Sequence, residues 1–268
     1  MSLEPVRHVA SLPMDGIAEL RAATETWWAG VARHLEECGI AGAPRMLTWP
    51  RDVYGHWRSP DLLFSQTCGH PLVNLIAEDV RLVATPHYGA PGCDGSRYAS
   101  HVLVRADAAA EGIDGLRGGR LAFNGPDSYS GFHVWPRLLP SGETRESYFG
   151  RIIETRSHRA AIRGIRTGEA DVCAVDCVTH ALLSDRAPDE VEGTRILATS
   201  PPVPALPFVT SAVTSTDDAT RLREGLFAAL ADPSLEEVRA ALRLTGASVP
   251  TEADYLQAFK NRMPGSEP

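Results

Sequence analysis

The sequence predicts an α/β protein whose sheets are mostly parallel and carry helices on both faces. Short apolar runs rich in Val and Leu alternate with longer segments that have apolar residues at helical spacing. Gly, Pro and small polar residues separate these runs, and such alternation is typical of parallel sheets linked by helices. With 268 residues and 43% hydrophobic content, the chain can bury the core of one large domain or two small ones.

The N-terminal part of the chain begins with a predicted strand, Val6–Leu12, and a helix over about Ile17–Cys38. Gly39 follows that helix, where a C-terminal capping glycine belongs. Met46–Trp49 and the apolar run Asp61–Ser65 are predicted as the next strands. The following predicted elements are a helix at His70–Ile76 and strands at Val80–Thr85 and Tyr98–Arg105.

Strands and helices continue to alternate in the second half of the chain. Arg120–Asn124 is predicted as a strand, and Phe132–Leu139 as a helix that tolerates Pro136 only in its first turn. Ser157 is a suitable N-cap for a helix over His158–Thr167. The other predicted elements are strands at Ile152–Thr155, Asp171–Val175, Arg195–Thr199 and Phe208–Val213, and helices at Val178–Leu183, Arg221–Leu230, Leu235–Leu242 and around Tyr255.

Charge and hydropathy exclude some classes of partner. The formal net charge is -8, whereas a general nucleic-acid binder usually carries a basic face. No segment approaches the roughly 20 apolar residues of a membrane span. Residues Met1–Pro13 do not show a basic segment followed by an apolar run, so we expect a cytoplasmic protein, or a periplasmic one if a leader was removed.

The cysteine and histidine patterns indicate neither a disulfide framework nor a metal site. Cys38, Cys68, Cys93, Cys173 and Cys177 form an odd set without the spacing of a small disulfide-rich domain, so we expect reduced thiols. The spacings of the histidines fit no standard metal motif; these histidines are His56, His70, His87 and His101. We therefore expect neither a metal nor a cofactor.

A serine-rich turn lies between a predicted strand and a predicted helix. Asn124 ends the strand, and Asp127-Ser128-Tyr129-Ser130-Gly131 leads into the helix. Unpaired N–H groups at a helix start, together with two hydroxyl groups, can donate hydrogen bonds to an oxyanion. The alternative is that Ser128 or Ser130 caps the helix.

Three other positions at strand ends or helix starts have two interpretations each. Thr67-Cys68-Gly69 forms either a packed turn or the setting of a reactive thiolate at a helix start. Ser157-His158 is either a cap followed by a surface histidine or a donor to a ligand oxygen. Asp176 either caps the next helix, or faces a cleft, where it binds a ligand amine or orients His158.

Taken together, these segments resemble the PhnD-like family of phosphate, phosphite and phosphonate ABC-transporter substrate-binding proteins. The resemblance extends over roughly Ala10–Tyr255. The segments that carry it are Pro60-Asp61-Leu62-Leu63-Phe64-Ser65-Gln66-Thr67-Cys68-Gly69, Tyr98 to Asp107, the serine-rich turn, Ser157-His158-Arg159-Ala160 and Gly168-Glu169-Ala170-Asp171-Val172-Cys173-Ala174-Val175-Asp176. It implies a type II periplasmic-binding-protein fold with two α/β lobes and a ligand cleft between them.

The resemblance also implies a domain division and a set of ligand-binding residues. Residues 1–102 and 207–268 would form a discontinuous first lobe, and residues 103–206 the second. The residues expected to line the site are Thr67, Cys68, Tyr98, Asn124, Ser128, Tyr129, Ser130, Gly131, Ser157, His158 and Asp176. The implied partners are a small anion, such as a phosphonate, phosphate or small carboxylate, and an ABC-transporter permease.

Two other functions stay open at the level of the sequence. An enzyme on the same fold, similar to menaquinone-pathway or pyrimidine-precursor enzymes, would use Cys68, His158 and Asp176 as nucleophile, base and orienting group. A sensor similar to the effector domain of a transcription regulator ranks below both, because no helix-turn-helix segment supports it.

Overall fold

A computed structural model describes residues 8–260 of the chain. The chain divides into two compact units. The first unit contains the residues up to Gly89 and those from Pro204 onward, and the second contains Ala90–Val203. Each unit has its own five-stranded sheet.

The elements are numbered here in chain order. The strands are β1 (Val9–Ala10), β2 (Leu62–Gln66), β3 (Val80–Tyr88), β4 (Arg97–Tyr98), β5 (Ser100–Arg105), β6 (Arg120–Phe123), β7 (Arg151–Glu154), β8 (Val172–Asp176), β9 (Thr194–Thr199), β10 (Val203–Pro204), β11 (Phe208–Ser211) and β12 (Leu244–Ser248). The helices are α1 (Arg21–Glu37), α2 (Val53–Trp57), α3 (Gly69–Asn74), α4 (Arg145–Tyr148), α5 (His158–Arg166), α6 (Cys177–Arg186), α7 (Thr216–Ala231), α8 (Glu236–Ala241) and α9 (Glu252–Phe259).

The first unit is built on a sheet with the strand order β1-β2-β11-β3-β12. Hydrogen bonds pair several of its buried hydroxyl groups: the Ser11 and Ser65 hydroxyls are 2.8 Å apart, and the Trp57 indole N–H donates to Ser65 over 3.2 Å. The Thr85 and Tyr255 hydroxyls are 2.8 Å apart, which joins β3 to α9. Because buried polar groups without partners are costly, these bonds allow serine and threonine to occupy the core.

The second unit has the strand order β7-β6-β8-β5-β9. Every residue of the central strand β8 is buried, and Ala161, Ile162 and Ile165 of α5 form part of the same core. Strands β7, β6 and β8 are parallel, so their carboxyl ends lie at one edge of the sheet. The antiparallel pairing of Ser100 with Asp176 brings the start of β5 to that same edge.

The α/β class is confirmed, but the expectation of mostly parallel sheets is wrong. In the first sheet only β1 and β2 pair in parallel, and β11 and β12 run antiparallel to their neighbours. In the second sheet, β5 runs antiparallel to both β8 and β9. The order of elements along the chain does not specify which strands become neighbours in a sheet. Whether a sheet is parallel or antiparallel depends on which strands are neighbours.

Several local predictions differ from the structure. Met46–Trp49 does not form a strand, although the Thr48 N–H donates to the Ala10 carbonyl over 2.7 Å. The predicted helix Phe132–Leu139 is a π-helical turn at Tyr129–His133 followed by a 3₁₀ turn at Trp135–Arg137. Helices α2 and α4 and strand β12 were not predicted, because they are short and lack a clear apolar period. Val6 and Arg7 of the first predicted strand lie outside the described residues.

The implied lobe boundaries differ from the limits of the compact units. A boundary after residue 102 falls inside β5, whereas the second unit begins at Ala90 and contains the whole of that strand. The second unit ends at Val203 rather than at residue 206. Over residues 8–260, no helix has the length and apolar character needed to span a membrane.

Candidate functional site

The candidate site lies at the edge of the second sheet where its parallel strands end. Strand β6 ends at Phe123 and is followed by Asn124, while β8 ends at Asp176. The chain leaves β7 through a short loop and enters α5 at His158. Open α/β sheets commonly bind ligands at the carboxyl ends of their strands.

Three polar side chains surround the Nε2 atom of His158 at this edge. The Ser130 Oγ atom lies 3.1 Å from this nitrogen, and the Asn124 Nδ2 atom lies 3.3 Å from it. The Asp176 Oδ2 atom is 3.4 Å away. The side chain of His158 is 14% exposed and that of Asp176 is 6% exposed, so this cluster is largely shielded from bulk water.

Aromatic packing holds the serine-rich turn in place. The Trp135 ring is fully buried, and its indole N–H donates to the Gly131 carbonyl over 3.2 Å. The rings of Phe123 and Phe132 pack with centroids 4.5 Å apart, which joins the end of β6 to the turn. Tyr129 and Ser130 are also buried. These contacts anchor the turn on both sides and keep the Ser130 Oγ atom beside His158.

The side chains of Asn124 and His158 approach the backbone at Gly131 so closely that they leave no room for a side chain there. A Cβ atom at this position would overlap the Asn124 Oδ1 atom and lie 3.4 Å from the His158 Cε1 atom. A larger residue would therefore push Asn124 and His158 away from Ser130. This steric requirement explains why a glycine stands at this point of the turn.

The protonation of His158 is set by two opposing effects. Burial lowers the pKa of His158 below its ordinary value, while the Asp176 carboxylate and the Ala174 carbonyl favour the charged form. The net effect is a lowered pKa.

Among residues 8–260, the Asn124 Oδ1 atom is buried and has no hydrogen-bond partner. The site therefore holds an acceptor that no described protein group uses.

At Ser128 and at Asp176, helix capping and contact with a ligand do not exclude each other. The Ser128 Oγ atom accepts from the Gly131 N–H over 3.1 Å, and the Asp176 Oδ1 atom accepts from the Thr179 N–H over 2.7 Å. Each cap uses one acceptor position, so the Ser128 hydroxyl proton and the Asp176 Oδ2 atom are not consumed. Ser157 also caps its helix, through the Ala160 N–H at 3.1 Å, but its side chain is exposed.

A strained backbone position precedes His158. Arg156 has φ +67°, in the left-handed region that side chains other than glycine rarely adopt. This conformation costs about 1 kcal/mol. The Thr155 hydroxyl, which lies 2.8 Å from the Phe123 carbonyl and 3.1 Å from the Ser157 carbonyl, holds the loop in that conformation. The sequence contains no signal for this strain.

Comparison with family models identifies the chain. Residues 21–255 match the model described as an ABC-transporter phosphonate periplasmic substrate-binding protein. The chain belongs to this family. No curated protein sequence matches it significantly.

Solved structures with the same fold include members of this substrate-binding family. PhnD1 from Prochlorococcus marinus, solved with methylphosphonate, has a TM-score of 0.73 at 13% identity, covering 95% of this chain and 96% of its own. A binding-protein component of a phosphonate transporter from Pseudomonas aeruginosa has a TM-score of 0.73 at 15% identity, covering 95% and 84%. The alkanesulfonate-binding protein SsuA from Xanthomonas axonopodis pv. citri, bound to MOPS, has a TM-score of 0.61 at 18% identity, covering 96% and 91%. At these identities the similarities show the fold alone.

The remaining predicted residues of this substrate-binding protein lie in both units. Thr67 and Cys68 are buried in the first unit at the start of α3, where the Thr67 N–H donates to the Pro207 carbonyl over 3.0 Å. Tyr98 is buried in β4 of the second unit. The catalytic alternative on Cys68, His158 and Asp176 stays a prediction. Within the described part of the chain, no three His, Cys, Asp or Glu side chains are grouped to hold a metal ion.

A second polar cluster in the same unit was not predicted from the sequence. His101 and His180 pack with ring centroids 5.5 Å apart, and Cys93 lies beside Cys177, the residue after Asp176. Burial lowers the pKa of both histidines, and each also lies near Asp176. These residues come from separate segments, so spacing along the sequence gave no sign of the cluster.

Proposed function

We propose that this substrate-binding protein serves an ABC transporter and binds a small oxyanion that keeps one proton, a phosphonate or phosphate. Ser128 and Ser130 supply hydroxyl donors, and His158 supplies an imidazole in the same cluster. The observation that carries the proposal is the combination of these groups with two acceptors, Asn124 Oδ1 and Asp176 Oδ2, at one edge of the sheet.

The acceptors in the site favour a partly protonated ligand. A carboxylate only accepts hydrogen bonds, so a fully deprotonated oxygen placed against Asp176 would be repelled. A protonated oxygen of a phosphonate or phosphate could instead donate to Asp176 or to the orphaned Asn124 Oδ1 atom. The hydroxyls would then donate to the charged oxygens, and hydrogen bonds to charged groups are worth about 1.5–3 kcal/mol each.

The neighbouring structures show which ligand classes the fold accommodates. PhnD1 was solved with methylphosphonate, and SsuA was solved with MOPS, which carries a sulfonate. Sulfonates and sulfate have no proton at neutral pH, whereas phosphonates and phosphates lose their second proton near neutral pH. The acceptor pair of Asn124 and Asp176 supports the phosphonate class over the sulfonate class.

Isothermal titration calorimetry with four ligands tests this proposal. Methylphosphonate and phosphate are compared with methanesulfonate and sulfate at equal ionic strength and at neutral pH. We expect methylphosphonate or phosphate to bind at least about tenfold more tightly than the matching sulfur anion. Equal affinities, or tighter binding of a sulfur anion, would contradict the requirement for a ligand proton. Absence of heat and of a thermal shift with all four ligands would contradict oxyanion binding itself.

A further inference from the structure

Two cysteines that are far apart in the sequence meet in the second unit. The sulfur atoms of Cys93 and Cys177, which are 84 positions apart, lie 3.4 Å from each other. Cys177 is the first residue of α6 and is fully buried, while Cys93 lies in the loop before β4 and is half-buried. A disulfide has an S–S length of about 2.05 Å, so a movement of roughly 1–2 Å would bring these sulfurs to bonding distance.

The loop that carries Cys93 is built around this contact. Gly92 has φ +99°, and a Cβ atom there would lie 3.0 Å from the Cys177 Cβ atom and 3.2 Å from the His101 Cε1 atom. Only glycine combines that conformation with so close an approach. The Pro91 carbonyl lies 3.1 Å from the His101 Nε2 atom, which ties the loop to β5. The pairing of the two sulfurs is thus set by the backbone rather than by free side chains.

We propose that Cys93 and Cys177 form a disulfide bond when the protein meets a disulfide oxidant, such as a small-molecule disulfide or a dithiol–disulfide exchange protein. The proposal is independent of the ligand, because it rests on the contact between the two sulfurs. The bond would join the loop before β4 to the first residue of α6. That residue directly follows Asp176, so the cross-link would fasten one end of the candidate site.

The chemistry has a defined order and balance. The thiolate of Cys93 attacks one sulfur of the oxidant, forming a mixed disulfide and releasing one thiolate. Cys177 then loses its proton to solvent, attacks the Cys93 sulfur and displaces the second thiolate. One oxidant disulfide is reduced to two thiols, and the two cysteines lose two electrons and two protons.

The two sulfurs are suited to different roles. The hydrogen bond from Cys177 lowers the pKa of Cys93, which favours its thiolate, and Cys93 is the more exposed of the pair. The same hydrogen bond and, after it, burial raise the pKa of Cys177, as expected for a group that acts second. Burial raises the pKa of Cys173 and of Cys38, so these thiols are poorer nucleophiles.

Thiol counting after oxidation of the folded, full-length chain tests the proposal. The protein is treated with glutathione disulfide, quenched with acid, alkylated with iodoacetamide in denaturant, and analysed by intact mass and non-reduced peptide mapping. We expect the number of alkylated thiols to fall from five to three, with a cross-linked peptide containing Cys93 and Cys177. Five alkylated thiols, or a cross-link that involves Cys38, Cys68 or Cys173, would overturn the proposal.

Matched variants check that the effect belongs to this pair. Cys93→Ser is at a half-buried loop position and is expected to fold, whereas Cys177→Ala serves as a second variant at the buried position. Cys93→Ser should keep its four remaining thiols after oxidation. Cys177→Ala should form no internal cross-link and should stop at the mixed disulfide between Cys93 and glutathione, which blocks one thiol and adds the mass of one glutathione. Cys38→Ser is the control and should still lose two thiols. Oxidation should raise the melting temperature of the parent and of Cys38→Ser by roughly 5–10 °C. A rise of the same size in Cys93→Ser would contradict the assignment.

Discussion

The Ser130 hydroxyl lies 3.1 Å from the His158 imidazole, so a turn that follows β6 contacts the first residue of α5. The Asp176 Oδ2 atom, at the end of β8, lies 3.4 Å from the same imidazole nitrogen. Three separate segments therefore converge on one atom. Because the carboxyl ends of β6, β7 and β8 share an edge of the sheet, this convergence follows from the parallel pairing of those strands.

Removing the Ser130 hydroxyl should weaken anion binding directly. Ser130→Ala deletes one donor to a charged oxygen, and we expect methylphosphonate affinity to fall by roughly tenfold to a hundredfold by calorimetry. The control is Ser141→Ala, because Ser141 is an exposed serine in the same unit. A Ser130→Ala protein that binds like the control would contradict the assignment of this hydroxyl.

Gly131→Ala should damage the site without removing a polar group. The added Cβ atom would overlap Asn124 Oδ1 and press on His158, so we expect loss of measurable ligand binding and destabilisation of about 1–3 kcal/mol. Gly112→Ala is the matched control, since a Cβ atom there meets nothing within 4 Å. Chemical denaturation and calorimetry on both variants measure the two effects. Unchanged binding in Gly131→Ala would show that Asn124 and His158 need not stay close to Ser130.

Asp176→Asn should change selectivity more than stability. Asparagine caps a helix as well as aspartate, so the bond from the Thr179 N–H is retained. The amide adds a donor and removes the negative charge, which lifts the repulsion against a fully deprotonated oxygen. We expect the preference for methylphosphonate over methanesulfonate to fall by at least about tenfold. An unaltered preference would mean that Asp176 does not face the ligand.

The buried histidines should make the protein less stable at acidic pH. The pKa of His101, His158 and His180 is lowered by burial, so between each folded pKa and the ordinary value near about 6.5 the unfolded chain binds more protons. Stability is therefore present above that range and is lost as pH falls through it. For each histidine, the free energy of unfolding changes by at most about 1.4 kcal/mol per pH unit.

Denaturant titrations measure this dependence when they are repeated between about pH 5 and pH 8, at intervals of about half a pH unit. His180→Gln, which cannot gain a proton, should show a shallower loss of stability on acidification than the parent. His87→Gln is the comparison, because His87 lies in the first unit and accepts or donates a bond with Ser248 at 3.0 Å. An equal slope in the parent and in His180→Gln would exclude His180 as a contributor.

Local sequence predicted several parts of the candidate site. The strand that ends just before Asn124, the serine cap at Ser128, and the helix that starts at His158 after Ser157 are each encoded in a few consecutive residues. Capping and strand propensity act over three or four positions, so they can be recognised in one sequence. The left-handed conformation of Arg156 could not be recognised, because surrounding contacts impose it on a residue that does not favour it.

What the sequence determined by itself was the alternation of strands and helices, the caps, and the family to which the chain belongs. What only the tertiary structure decided was which strands are neighbours, and hence the mixed direction of both sheets. It also decided that Asn124 and His158 meet, and that Cys93 lies against Cys177. The reason is that secondary structure depends on near neighbours in the chain, whereas these contacts depend on how distant segments bury their apolar faces together.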